Sequence, residues 1–127
     1  MSATDYLESK LLDHVLRNTA YSQPAGLYMS LHTANPGDTG TASEVTGGSY
    51  ARQPIAFNAS VPGSGQALSN GAVSFTSMPA TTVTYFGIFD AVSGGNPLFD
   101  GPLSSAQTTT AGATLAFAAG QVIITAD

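Results

Sequence analysis

Two histidines, eight carboxylates and three cationic side chains carry most of the chemistry open to this chain. A nucleophilic triad needs a base beside a Ser or Cys and a carboxylate behind that base. His14 and His32 are the only imidazoles, and there is no cysteine. His14 falls in a helical pattern and is expected to be exposed. His32 closes an alternating run and reads as a strand-face histidine rather than a ligand. Neither lies beside a serine in a nucleophile elbow, since Gly47-Gly48-Ser49-Tyr50-Ala51 lacks the second glycine. Paired carboxylates flanking a cleft would suit glycoside hydrolysis, and Asp90 and Asp100 could face each other across a hairpin. Both follow strand ends, however, where Asp is ordinary turn chemistry. Asp38 and Glu44 could offer oxygens to calcium, but no D-x-D-x-D-G run accompanies them, and they read as solvated loop acids. No cluster has enough ligands for zinc, and there is no P-loop or G-x-G-x-x-G. The expectation is a protein without catalytic residues, cofactor or metal, and not an enzyme.

The chain has 127 residues, the length of one domain able to bury a core. Hydrophobic content is 43%, but charged residues make up only 9%, against about 25% in an average soluble domain. The formal net charge of −5 argues against nucleic acid, whose phosphates call for a basic surface. It argues equally against an anionic membrane, for which a polybasic patch is needed. So mildly charged a surface has little repulsion to hold copies apart, which suits a protein that sits against other proteins. Without cysteine there are no disulfides or thiolate metal sites. No apolar run approaches the roughly 20 residues of a membrane span. The N-terminus shows no basic region followed by an apolar block, so no signal peptide is expected.

These residues must be held by a mainly β scaffold. Thr81 to Asp90, TTVTYFGIFD, is almost unbroken in β-branched and aromatic residues, the composition of a pleated, half-buried surface. Val83, Tyr85 and Gly87 fall on one face and Thr82, Thr84, Phe86 and Ile88 on the other, so the strand is expected to be central and covered on both sides. Asp90 and Ser93-Gly94-Gly95-Asn96 supply a turn, and Pro97-Leu98-Phe99 starts the return. Thr81 to Leu103 is therefore the hairpin on which the rest packs, with Gly87 marking a bulge or a close backbone approach.

Residues 2–17 predict the one helix. Leu7, Leu11 and Val15 recur every four residues, and Leu12 and Leu16 widen the stripe. Ser2 followed by Asp5, or Thr4 alone, is the candidate cap, Asp5, Glu8 and Arg17 suit the helix dipole, and Asn18 is the stop. The helix either covers the sheet or docks its apolar stripe on a partner. Leu27 to Thr33 alternates as a half-buried strand, with Leu27, Met29 and Leu31 on one face and Tyr28, Ser30 and His32 on the other. Residues 33–50 form a long irregular stretch full of turn signals, and loops of that length are often functional. Gln53, Ile55 and Phe57 share a face of an edge strand, placed at the edge by Pro54; Arg52 is expected to pair with a carboxylate for a structural purpose. Val61-Pro62-Gly63-Ser64-Gly65 predicts a turn, residues 67–75 a hairpin turning at Asn70-Gly71, and Gln121 to Ala126 the closing strand. The fold expected is an antiparallel β-sandwich or jelly-roll-like double sheet of seven or eight strands with one N-terminal helix. It forms a single domain over 1–127, with the helix in 1–18 and the sandwich in 24–127.

Several stretches together resemble a family of small virion proteins of tailed bacteriophages and prophages, labelled tail-fibre-like or hypothetical structural proteins. They are Asp5-Tyr6-Leu7-Glu8 with Leu11-Leu12-Asp13-His14, Ala25 to Pro36, Glu44-Val45 to Tyr50-Ala51-Arg52, Val83 to Ala91, Gly94-Gly95-Asn96 to Gly101-Pro102-Leu103, and Phe117-Ala118-Ala119-Gly120. The resemblance implies a structural protein of the virion, assembled in the host cytoplasm, whose partners are major capsid or tail proteins and which is a homo-oligomer on the particle. It carries no catalytic residues.

Two roles within the virion follow from that resemblance. One is a capsid decoration protein that clamps neighbouring capsid subunits, its weak contacts summed over a lattice. The other is a tail-tip or tail-fibre component for host attachment. Far-reaching fibres are long, with repeats or coiled coils, and the absence of both favours decoration. On that reading the partner contacts are the helix stripe, Leu7, Leu11 and Val15, and the long loop through Asp38, Glu44 and Tyr50. The loop is expected to be dispensable for folding, so that deleting Asp38 to Gly48 leaves an intact domain. A carbohydrate-binding module is the further alternative, with Tyr21, Tyr28 and Tyr50 as its aromatic platform.

Overall fold

The computed structural model describes residues 2–60 and 63–125. Among these, one helix and nine strands follow in chain order: β1 (Ser2–Ala3), α1 (Asp5–Leu16), β2 (Tyr28–His32), β3 (Gln53–Pro54), β4 (Gln66–Leu68), β5 (Val73–Met78), β6 (Thr81–Phe89), β7 (Pro97–Thr109), β8 (Ala113–Phe117) and β9 (Ile123–Thr125). The Val61-Pro62 part of the expected turn, and Ala126 of the closing strand, lie outside the described residues.

The β6–β7 hairpin is the centre, as expected, and is longer than the sequence indicated, because the return strand continues to Thr109. It lies within a five-stranded antiparallel sheet of order β1-β7-β6-β2-β3. The turn between the two strands is closed by Asp90, whose carboxylate accepts from the Asn96 backbone N–H (2.7 Å) and side-chain Nδ2 (3.0 Å). Gly94 and Gly95 supply the positive φ angles this turn requires. Asp90 and Asp100 do not face one another: Asp100 is buried opposite Gly87, mid-strand.

The alternation expected along β6 does not hold throughout. Val83, Phe86 and Ile88 all enter the same core, which strict two-residue periodicity forbids. The β6–β7 register shifts between Val83 and Tyr85, where partners jump from Gln107 to Pro102. That irregularity changes which face the side chains occupy. β2 also departs from expectation, since Met29, Ser30, Leu31 and His32 are all fully buried. The 33–50 segment folds back over the polar face of β2 and makes a half-buried strand into a fully buried one.

This segment and the short strand after it complete the free edge of β2 piecemeal. β3 pairs with Tyr28 and Met29, the Tyr50 hydroxyl accepts from the Leu31 N–H (3.0 Å), and Val45 N–H donates to the Leu31 carbonyl (2.9 Å). An isolated bridge joins His32 to Glu44. Backbone groups that no strand reaches are thus satisfied by a loop. Val45 is buried in the core, so the segment is part of the fold, not a dispensable appendage. β3 sits at the sheet edge, as Pro54 predicted.

The core lies between this sheet and two short strand pairs, β4–β9 and β5–β8. The architecture is mainly β and sandwich-like with one helix, as expected, but the second layer is two pairs rather than one continuous sheet. Phe75 stands at the middle of the core, stacked on Tyr50 (6.1 Å between centroids) and edge-on to Phe117 (6.2 Å). The expected 67–75 hairpin does not form. β4 and β5 belong to different pairs, and Gly71 has no positive φ. Ser69 explains why: its N–H donates to the Val122 carbonyl (2.9 Å), and its hydroxyl accepts from the N–H groups of Gly120 and Val122. Bonds to the C-terminal segment outweigh the local Asn-Gly preference and carry the chain from one pair to the other.

Candidate functional site

The densest polar cluster is built where the 33–50 segment meets β2. Arg52 donates from Nε to Glu44 Oε2 and from Nη2 to Glu44 Oε1, both at 2.9 Å. Its Nη1 donates to the carbonyls of Ala91 (3.1 Å) and Gly94 (2.7 Å), and the guanidinium lies 3.6 Å from the Phe89 ring centre. Tyr50 donates its hydroxyl to Glu44 Oε2 (2.8 Å). A planar fork suited to bidentate and stacked contacts explains arginine at position 52. Burial pushes the Glu44 carboxyl upward, but the hydrogen bonds and charge of Arg52, helped by Tyr50, outweigh it and leave the group below its usual range. Burial, reinforced by Glu44, pushes the Tyr50 phenol far above its usual range. The expected structural pairing of Arg52 is present.

Beside this cluster lies a Ser–His pair that sequence reasoning missed. Ser30 Oγ and His32 Nε2 are 2.8 Å apart, and His32 Nδ1 is 2.8 Å from the Ala42 carbonyl. A carbonyl only accepts, so Nδ1 carries the proton and Nε2 accepts from Ser30. The two-residue period of a strand puts positions 30 and 32 side by side, a signal the sequence did contain. The pair is not arranged for acyl transfer. Both residues are fully buried, and a carbonyl occupies the place a triad gives to a carboxylate. Burial lowers the His32 pKa, against the opposing pull of the Ala42 bond, Glu44 and Asp100 and with a smaller push from Arg52. Gly87 makes the packing possible, because a Cβ there would stand 2.6 Å from Ser30 Oγ and 3.1 Å from His32 Nε2. The close backbone approach expected at Gly87 is therefore real.

The other feature is the helix. Thr4 is fully buried and caps α1: its hydroxyl accepts from Leu7 N–H (3.4 Å) and donates to the Pro97 carbonyl (2.6 Å). Asp5 N–H donates to the Asp38 carbonyl (3.0 Å). Of the two caps the sequence offered, Thr4 is the one used. Asn18 ends the helix in the left-handed region, as its role as stop predicted. The N-terminal turn is thus tied down, yet no residue of α1 is buried. Exposure rises along it, from 54% at Leu11 and 58% at Leu12 to 65% at Val15 and 74% at Leu16. Two apolar i,i+4 pairs are presented to solvent with no described residue covering them, so α1 does not serve as a lid over the sheet.

The six residues expected to meet a partner divide accordingly. Leu11 and Val15 are exposed, Leu7 is half-buried, and Asp38 is exposed on the loop beneath the helix. Glu44 and Tyr50 are engaged internally with Arg52 and Phe75. The aromatic platform does not assemble: Tyr21, Tyr28 and Tyr50 are each at most half-exposed, and Tyr50 is committed to the core. His14 is exposed, as expected, and accepts from Tyr21 N–H (3.1 Å). Among the described residues no group of three or more His, Asp or Glu side chains is placed to hold a metal ion.

No curated protein matches the chain. Residues 2–125 match the family described as Podophage GP4 fiber I protein gp80. The match spans the capped helix, the Arg52 cluster and every strand, so the chain belongs to the podophage GP4 fiber I protein gp80 family, a family of bacteriophage virion structural proteins.

Proposed function

We propose that the chain is a non-enzymatic subunit of a phage fibre, held in the virion by contacts of α1 with another virion protein. The observation that carries this reading is the exposed stripe of Leu11, Leu12, Val15 and Leu16 on a helix none of whose residues is buried. Burying such side chains is worth roughly 1.5–3 kcal/mol each, enough for a modest contact that gains strength by repetition in an assembly. The family to which the chain belongs supports the fibre over capsid decoration, the role that the lack of repeats and coiled coils favoured. A cluster locked by Arg52 and a Ser–His pair sealed from solvent support a scaffold rather than a catalyst. The test is labelling of intact particles with an antibody to this chain, with copies per particle counted by quantitative mass spectrometry. Label on the tail with a few to tens of copies supports the fibre; label spread over the head in hundreds of copies supports decoration instead.

A further inference from the structure

We infer that the cleft between β7 and the β8–β9 region is a binding site for a neutral oligosaccharide. The inference is independent of where in the virion the chain sits. The cleft has a volume of about 720 Å³, within the range of small-ligand sites. It opens where β7 departs from β6: Pro102 pairs with Tyr85 and Gln107 with Val83, leaving the intervening residues of β7 without partners on β6. Irregularities of this kind re-aim side chains and recur beside binding sites.

The lining selects the ligand. Ser104, Ser105, Gln107 and Gln121 supply hydroxyl and amide groups, and the partly buried Phe117 supplies aromatic surface above a floor of core side chains that includes Phe86. No residue lining the cleft is ionisable, so an anionic or cationic ligand would leave water without gaining a counter-charge. A wholly apolar ligand would strand four neutral polar side chains. A molecule with uncharged hydroxyls around an apolar ring face satisfies both sets, and a pyranose has that form. The two glutamines are partly pre-organised. Gln107 Nε2 donates to Ser105 Oγ (3.2 Å) and Gln121 Oε1 accepts from Ala118 N–H (2.6 Å). That leaves the Gln107 carbonyl as an acceptor and the Gln121 amide as a donor for sugar hydroxyls. These residues replace the tyrosine platform that the sequence suggested.

The test is saturation-transfer difference NMR and titration calorimetry on the full chain with maltotriose, cellotriose and N,N′,N″-triacetylchitotriose, and with sialyllactose as an anionic comparison. At least one neutral trisaccharide is expected to bind in the millimolar range or tighter, and sialyllactose not to. Gln107→Ala and Gln121→Ala each weaken binding on the order of tenfold, with unchanged circular dichroism, while Leu12→Asp on α1 leaves it alone. Three results overturn the inference: no transfer from any neutral sugar, preference for sialyllactose, or binding that survives both glutamine substitutions.

Discussion

Arg52 grips Glu44 through two parallel hydrogen bonds of 2.9 Å, and the same guanidinium reaches two carbonyls of the β6–β7 turn. One side chain thereby ties the irregular 33–50 segment to the tip of the central hairpin. Its own exposure is only 9%, that of Glu44 24%. Removing one partner of a largely buried pair leaves a charge uncompensated, so Arg52→Ala is expected to cost about 3 kcal/mol. Arg52→Lys should recover only part of this, lacking the fork and the stack on Phe89. Urea unfolding of the three proteins measures both effects; equal stability of Arg52→Ala and the parent would remove this cluster from the account.

His32 makes stability depend on pH. Its folded pKa lies below the unfolded value of about 6.5. Below that value the unfolded chain binds a proton that the folded one resists, so stability is full above pH 6.5 and declines as pH falls through the folded pKa. Glu44, also lowered, begins to contribute in the same direction below about pH 4.5. Urea midpoints at pH 8, 6 and 5 should fall in that order. His32→Gln should be less stable at pH 8 yet show a flatter decline between pH 6.5 and 5.

Gly87→Ala tests the close approach of β6 to β2. The added methyl would meet Ser30 Oγ and His32 Nε2, and overpacking of this kind costs about 1–3 kcal/mol. A thermal midpoint unchanged from the parent would show that the neighbours yield freely.

Deleting Asp38 to Gly48 is expected to abolish the fold. The segment carries Val45 into the core, Glu44 to Arg52, and Gly40 into a site where a Cβ would stand 2.7 Å from Thr4 Cγ2 and 2.8 Å from Pro97 Cβ. Near-ultraviolet circular dichroism decides this, and a native signal from the deletion variant would restore the view of the loop as a surface appendage.

How legible this was in the sequence depended on the range of the interaction. The β6–β7 hairpin, the helix with its Thr4 cap and Asn18 stop, and the edge position of Pro54 rest on local chemistry, and all were readable. The Asn70-Gly71 turn was misread because Ser69 answers to Val122 and Gly120, some fifty residues away. The face change along β6 arises from its pairing with β7, which no periodicity within β6 encodes. Composition suited a chain that packs against other proteins, but gave no sign that Glu44 and Tyr50 turn inward while Leu12 and Leu16 stay outside. Ser104, Ser105, Gln107 and Gln121 carried no motif, since only the departure of β7 from β6 brings them to one cleft.

Thr4→Ala should free α1 without unfolding the sheet. It removes the cap and the bond to the Pro97 carbonyl, at a cost of about 1 kcal/mol. Faster amide hydrogen exchange confined to α1 and β1 is the expected result; uniform acceleration across β6 and β7 would mean that the helix supports the whole fold.

The central claim is that the outward stripe of α1 holds the chain in the particle. The most direct measurement is incorporation of a Leu12→Asp, Leu16→Asp double variant into virions assembled without the parent gene product, quantified against the major virion proteins. Because no α1 residue is buried, the variant should match the parent in circular dichroism and unfolding. It is predicted to be missing from purified particles, at least tenfold below the parent; incorporation at the parental level would contradict the account.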